Sequence, residues 1–103
     1  MAITLTASEQ SLGIFNPPTK PVICQVDFSP LAAGDVCTIR CYVKTNGSGN
    51  TKKILYSQSF SGPQDAFTWQ SVPVENDYYI EFMALQTTGS GKTVDYFVQE
   101  VTV

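Results

Sequence analysis

An all-β chain is predicted: an antiparallel two-sheet sandwich of immunoglobulin-like type, about seven strands, with an extended N-terminal arm. Apolar and polar residues alternate with a period of two along most of the 103-residue sequence, and no window shows a helical stripe. The alternating segments are rich in Val, Ile, Thr, Phe and Tyr, residues that suit a pleated surface. Turn chemistry cuts them at short intervals: Asn16-Pro17-Pro18, Ser29-Pro30, Ala33-Gly34-Asp35, Asn46-Gly47-Ser48-Gly49-Asn50, Ser61-Gly62-Pro63 and Gly89-Ser90-Gly91.

Residues 1–21 open with one short strand and continue through Asn16-Pro17-Pro18-Thr19-Lys20-Pro21, which proline holds extended. They read as an edge strand with a stiff connector, or as an arm that reaches a neighbouring subunit. The sandwich proper spans 22–103, and the chain is one domain overall. Val22, Cys24, Val26 and Phe28 alternate with Ile23, Gln25 and Asp27; Cys37, Ile39, Cys41 and Val43 alternate with Val36, Thr38, Arg40, Tyr42 and Lys44. Ile54, Tyr56, Gln58 and Phe60 alternate with Lys53, Leu55, Ser57 and Ser59, and segments 66–72, 78–87 and 93–103 continue in the same style. Residues 78–88 and 92–103 flank Thr88-Gly89-Ser90-Gly91 as a long terminal hairpin. Trp69 is the natural large plug between the sheets.

Composition narrows the function. With 43% apolar residues, the chain is long enough to bury a core without disulfides or a metal. No apolar run approaches the roughly 20 residues that cross a bilayer, and Met1-Ala2-Ile3-Thr4-Leu5-Thr6 has no signal-like character, so no membrane partner is expected. Zero histidines remove the commonest general base and the commonest metal ligand together. Six Lys and Arg against nine Asp and Glu leave a charge of −3 and no cationic stripe, which excludes nucleic-acid binding. Only 15% of residues are charged, against about 25% in ordinary domains. Such a surface risks insolubility unless another molecule covers it.

The cysteines, Cys24, Cys37 and Cys41, are odd in number and form no C-x-x-C pair, which argues against a disulfide framework or zinc. Cys37 and Cys41 share a strand face but lie roughly 13 Å apart along it, too far to bridge. A turn around Pro30-Leu31-Ala32-Ala33-Gly34 would bring Cys24 towards Cys41, and whether those two pair is left open. The reading is of small buried thiols with no activating neighbour.

Several strands are apolar on both faces, which a sandwich burying one face of each sheet does not need. In 78–85, Tyr78, Ile80, Phe82 and Ala84 lie on one face, Tyr79, Met83 and Leu85 on the other, broken only by Glu81. Val94-Asp95-Tyr96-Phe97-Val98 repeats the pattern, and Val36 and Tyr42 lie opposite Cys37, Ile39 and Cys41. Each large side chain that a partner removes from water contributes about 1.5–3 kcal/mol before association costs. The expected interface is Tyr42, Tyr78, Tyr79, Met83, Leu85 and Tyr96, with Pro17 and Pro18 from the arm, in a homo-oligomer or lattice.

The remaining motifs read as architecture. Gly89-Ser90-Gly91-Lys92-Thr93 ends like a phosphate-binding loop, but position 86 is Gln86 and a strand, not a helix, follows. Gly47, Gly49, Lys52 and Lys53 form a loop rather than an anion site. Asn46-Gly47-Ser48 fits the glycosylation pattern but lacks a secretory signal. Glu75-Asn76-Asp77 offers too few oxygens for a hard cation. Asp65, Glu75, Asp77 and Glu81 do not make a glycosidase pair without a groove. No catalytic residues, cofactor or metal are expected. Trp69, Tyr78, Tyr79 and Tyr96 leave sugar stacking open, which makes a carbohydrate-binding module the rival reading.

Three stretches carry a family resemblance: Gly34-Asp35-Val36-Cys37-Thr38-Ile39-Arg40-Cys41-Tyr42-Val43-Lys44; Leu55-Tyr56-Ser57-Gln58-Ser59-Phe60-Ser61-Gly62; and the alternating strand after Val72-Pro73-Val74. Over about two-thirds of the chain it resembles the small β-sandwich decoration, or cement, proteins of tailed and related viruses. The resemblance implies a non-enzymatic virion protein made in the host cytoplasm, often trimeric, bound to the major capsid protein. It carries no residue roles. The alternative is a carbohydrate- or protein-binding module of a tail or adhesion apparatus.

Overall fold

The structure, a computed structural model, describes residues 1–45, 51–63, 68–89 and 91–102. Those residues form eight strands and no helix: β1 (Ala2–Thr4), β2 (Gln10–Phe15), β3 (Val22–Asp27), β4 (Val36–Val43), β5 (Lys53–Ser61), β6 (Thr68–Gln70), β7 (Ile80–Thr88) and β8 (Thr93–Glu100). They build two four-stranded antiparallel sheets, one in the order β1-β8-β3-β6, the other β2-β7-β4-β5.

The two-sheet antiparallel architecture is as expected, but the strand order is not the immunoglobulin one. There the first strand lies beside the second and the sheets read ABED and CFG. Here the first strand pairs with the last, the second with the seventh, the third with the sixth, and the fourth with both the fifth and seventh. The order is that of a double-sheet jelly roll, two Greek keys wound together. Only β4 and β5 are neighbours both in sequence and in a sheet.

Two expectations are corrected by this winding. Segments 78–88 and 92–103 are not a hairpin, because β7 and β8 belong to different sheets and the connection between them crosses the sandwich. Gly89 has a φ of 96°, and a Cβ there would collide with the Asp35 carboxylate, so the crossover packs where only glycine fits. Residues 1–21 are also not an arm. They supply β1 and β2, with Leu5 and Leu12 buried in the core. The proline-rich connector is tied down as well: Glu100 Oε2 accepts from Thr19 N–H at 2.6 Å, from the Thr19 hydroxyl at 2.9 Å, and from Lys20 N–H at 3.2 Å.

The core lies between the sheets. Val22, Cys24 and Val26 from β3 face Cys37, Ile39 and Cys41 from β4 and Ile80, Phe82 and Ala84 from β7. Phe28 stacks on Phe60 with ring centroids 4.4 Å apart, and Phe60 meets the edge of Trp69 at 5.6 Å. Trp69 is only 8% exposed, the core plug expected of it. The three thiols are free and buried, and burial pushes each up to about 12. That keeps them protonated and poorly nucleophilic.

Candidate functional site

The outer face of the β2-β7-β4-β5 sheet carries four of the residues expected at an interface, Tyr42, Tyr79, Met83 and Leu85. Part of it is closed by polar groups. Glu9, in the turn before β2, accepts a hydrogen bond from the Tyr42 hydroxyl at 2.6 Å and from Arg40 Nη1 at 2.9 Å. Glu81, only 3% exposed, accepts from the Tyr79 hydroxyl at 2.6 Å and from Lys52 Nζ at 2.7 Å. Lys52 also lies 4.9 Å from the Tyr42 ring centroid and joins the two clusters, while Lys44 caps the Tyr79 ring at 4.6 Å.

These contacts set the charge state of the face. Burial pushes the Glu81 carboxyl up, but hydrogen bonds from Lys52, Tyr79 and Ser11, with the Lys52 charge, outweigh it and hold it below the usual range. The Tyr42 hydrogen bond is the chief cause holding Glu9 down, against a smaller opposing effect of burial and with help from Arg40. Burial, with the adjoining Glu81, pushes the Tyr79 hydroxyl up to about 12. The result is a sheet face carrying anions saturated by donors.

Four of the expected interface residues share this outer face, and the other four lie elsewhere. Tyr42, Tyr79, Met83 and Leu85 lie on β4, β7 or just before β7, but Tyr79 and Leu85 are each 8% exposed and Tyr42 and Met83 are half-buried. Tyr78 precedes β7 and is 39% exposed. Tyr96, on β8, packs partly against the core, and Pro17 and Pro18 sit in the connector after β2. They do not form one apolar patch.

A different place gathers exposed apolar surface. Ile54 and Leu55, adjacent on β5, are each 52% exposed, and Val72, just after β6, is 71% exposed. Between the ends of the two sheets lies a cleft of about 410 Å³, lined by Tyr56, Ser57 and Gln58 of β5, Trp69 and Gln70 of β6, and Ser71 and Val72. On the other side of the sandwich, β2 closes against the facing sheet, and a Cβ on Gly13 would sit 3.1 Å from Val98 Cβ. The sandwich is open at β5 and β6 and closed at β2.

Tyr56 lines this cleft and buries its hydroxyl without a well-formed hydrogen bond. The Ser71 hydroxyl, which accepts from Cys24 N–H at 3.0 Å, is near enough to favour the phenolate but makes no aligned bond to Tyr56. Burial, then the neighbouring Cys41, drives the phenol's pKa well above its ordinary value. In the sequence, alternation makes β5 look like any other strand. The signal available was the span from Ile54 to Gly62, which contains no charge.

The other motifs resolve as architecture. Lys92 Nζ lies 3.5 Å from Asp35 Oδ2, and its backbone N–H donates to Gln86 Oε1 at 3.0 Å, so the lysine of the loop before β8 serves the crossover. Asn76 Oδ1 accepts from Tyr78 and Tyr79 N–H groups at 2.8 and 2.9 Å, which makes Glu75-Asn76-Asp77 a capped turn. No group of three or more Cys, Asp or Glu side chains gathers as a metal site among the described residues. Asn46-Gly47-Ser48, Gly49, Asp65 and Ser90 lie outside the described residues. No described helix is long and apolar enough to cross a membrane. No protein-family model, curated protein or solved structure matches the chain.

Proposed function

We propose that the chain is a non-enzymatic structural protein of a virion, a decoration or cement protein that stabilises the shell by binding the major capsid protein and itself. The observation that supports it is the edge of β5, uncharged from Ile54 to Ser61 beyond its first residue, Lys53, with Ile54, Leu55 and Val72 exposed along or beside it, on a body where only 15% of residues carry charge. A long, uncharged sheet edge is a template for another chain, and soluble monomers blunt such edges with charge, proline or short length. Jelly rolls build capsids and also lectins, so the fold agrees with the reading without selecting it.

The alternative is a carbohydrate-binding module, and the cleft favours it, because Ser57, Gln58, Gln70 and Ser71 supply the hydroxyls and amides that bind sugars. Against it, Trp69 is 8% exposed and presents no free ring face for stacking. Particles purified from the source on a density gradient and analysed by mass spectrometry test the leading reading. The chain should band with the particles in stoichiometric amount; its absence from them would contradict the proposal. Binding on a glycan array, with no particle association, would favour the alternative.

A further inference from the structure

We infer that β5 is a self-association edge: Tyr56–Phe60 pairs antiparallel with the same segment of a second copy, about a two-fold axis at Gln58. The inference rests on the self-association half of the proposed function and names its surface. Pairing of this kind joins two four-stranded sheets into one sheet of eight, running β2-β7-β4-β5 and then the same strands of the copy in reverse.

The edges of the molecule differ. β1 and β6 have three residues each, too short to template much pairing, and β2 carries a register shift between Ser11 and Gly13. β5 has nine residues, ends its sheet, and pairs only with β4 among the described strands. Its own irregularity, opposite Cys41 and Tyr42, falls at Leu55 and leaves 56–61 in regular register. The nearest charges are Lys52 and Lys53 at one end, with Lys52 already engaged by Glu81.

The sequence of the edge says what fits it. Tyr56-Ser57-Gln58-Ser59-Phe60 reads the same in both directions by chemistry: aromatic, serine, amide, serine, aromatic. Antiparallel pairing about Gln58 sets each residue opposite its own kind. Tyr56 meets Phe60 on the core-side face, Ser57 meets Ser59 on the outer face, and Gln58 meets Gln58. An isologous interface requires such self-complementarity, and a foreign strand would not. No like charges oppose each other in this register. Ser57, Gln58 and Ser59 are exposed, so they pair without leaving the core, while Phe60 keeps its contacts with Phe28 and Trp69.

Charge at the two serines tests the register. In S57K/S59K, lysine faces lysine twice across the axis; S57E/S59E does the same with carboxylates. Both side chains point outward in the single chain, and only the hydroxyl contact of Ser59 with Thr38 at 2.9 Å is lost. Sedimentation equilibrium of the unaltered chain should show a reversible dimer. Each charged variant should weaken it by about tenfold or more, and an equimolar mixture of the two should restore it as a heterodimer. The control A2K/Q99K, on the outer face of the other sheet, should dimerise unaltered. Dimers that persist in both charged variants would overturn the inference while leaving self-association standing. An unaltered chain that stays monomeric to roughly 200 µM would overturn both. If the double variants fail to fold, Q58K puts a single lysine on the axis, and a dimer unaffected by it overturns the inference equally.

Discussion

Tyr56 and Glu81 show opposite ways of burying a polar side chain. Glu81 is enclosed with its donors, so the desolvation of its carboxylate is offset by bonds from Lys52 and Tyr79. Replacing it by Gln should cost about 1–3 kcal/mol in urea unfolding at neutral pH, discounted because Lys52 is partly exposed. The acid limb follows from the depressed carboxyls of Glu81 and Glu9. Both bind protons less readily folded than unfolded, so their contribution is complete above the ordinary pKa of 4.5 and is lost as pH falls below it. E81Q should therefore show a flatter acid limb than the unaltered chain, and parallel limbs would contradict the assignment. Tyr56 is the reverse case: its hydroxyl is buried without an aligned partner. Y56F should leave stability unchanged or raise it by up to about 1 kcal/mol, and a loss larger than that would mean the hydroxyl is bonded.

At the level of strands, the first two are the sharpest test of the topology. β1 pairs with β8, β2 pairs with β7, and Leu5 and Leu12 are 1% and 4% exposed. Removing residues 2–20 takes an edge strand from each sheet together with two core leucines. The truncated chain should lose its cooperative thermal transition; a chain that still melts cooperatively would restore the detachable arm. Strand positions were legible because alternation is local: 22–28 became Val22–Asp27, 36–44 became Val36–Val43, and 53–60 became Lys53–Ser61. Their partners were not legible. The glycines near 89 look like a hairpin turn, yet the same residues serve a crossover whose destination depends on Asp35, more than fifty residues earlier. Nothing within the loop distinguishes the two. The polar closure of the outer face is hidden from the alternation for a related reason. Tyr42 and Tyr79 add to an apolar pattern, but each carries a hydroxyl, and the carboxylates that receive it are Glu9, far from Tyr42 in sequence, and Glu81, two residues on from Tyr79 on the same face.

For the molecule as a whole, low charge does not translate into apolar surface everywhere. One flank of the sandwich is closed by Gly13 against Val98, although Ile14 on β2 stays 51% exposed; part of one sheet face is closed by paired charges; and Ile54, Leu55 and Val72 collect exposed at the β5 and β6 ends. That asymmetry agrees with the self-association proposed for β5, the longest edge strand among the described residues. The wide cleft beside β5 also explains why the rival reading attaches to the same region. Backbone amide exchange, followed by NMR at roughly 20 µM and roughly 500 µM, separates an edge that pairs from one that does not. Slowing at the higher concentration confined to alternate amides of 56–60, those whose N–H groups point away from β4, is the predicted result. Exchange along β5 that ignores concentration, or slowing centred on another edge, would contradict it.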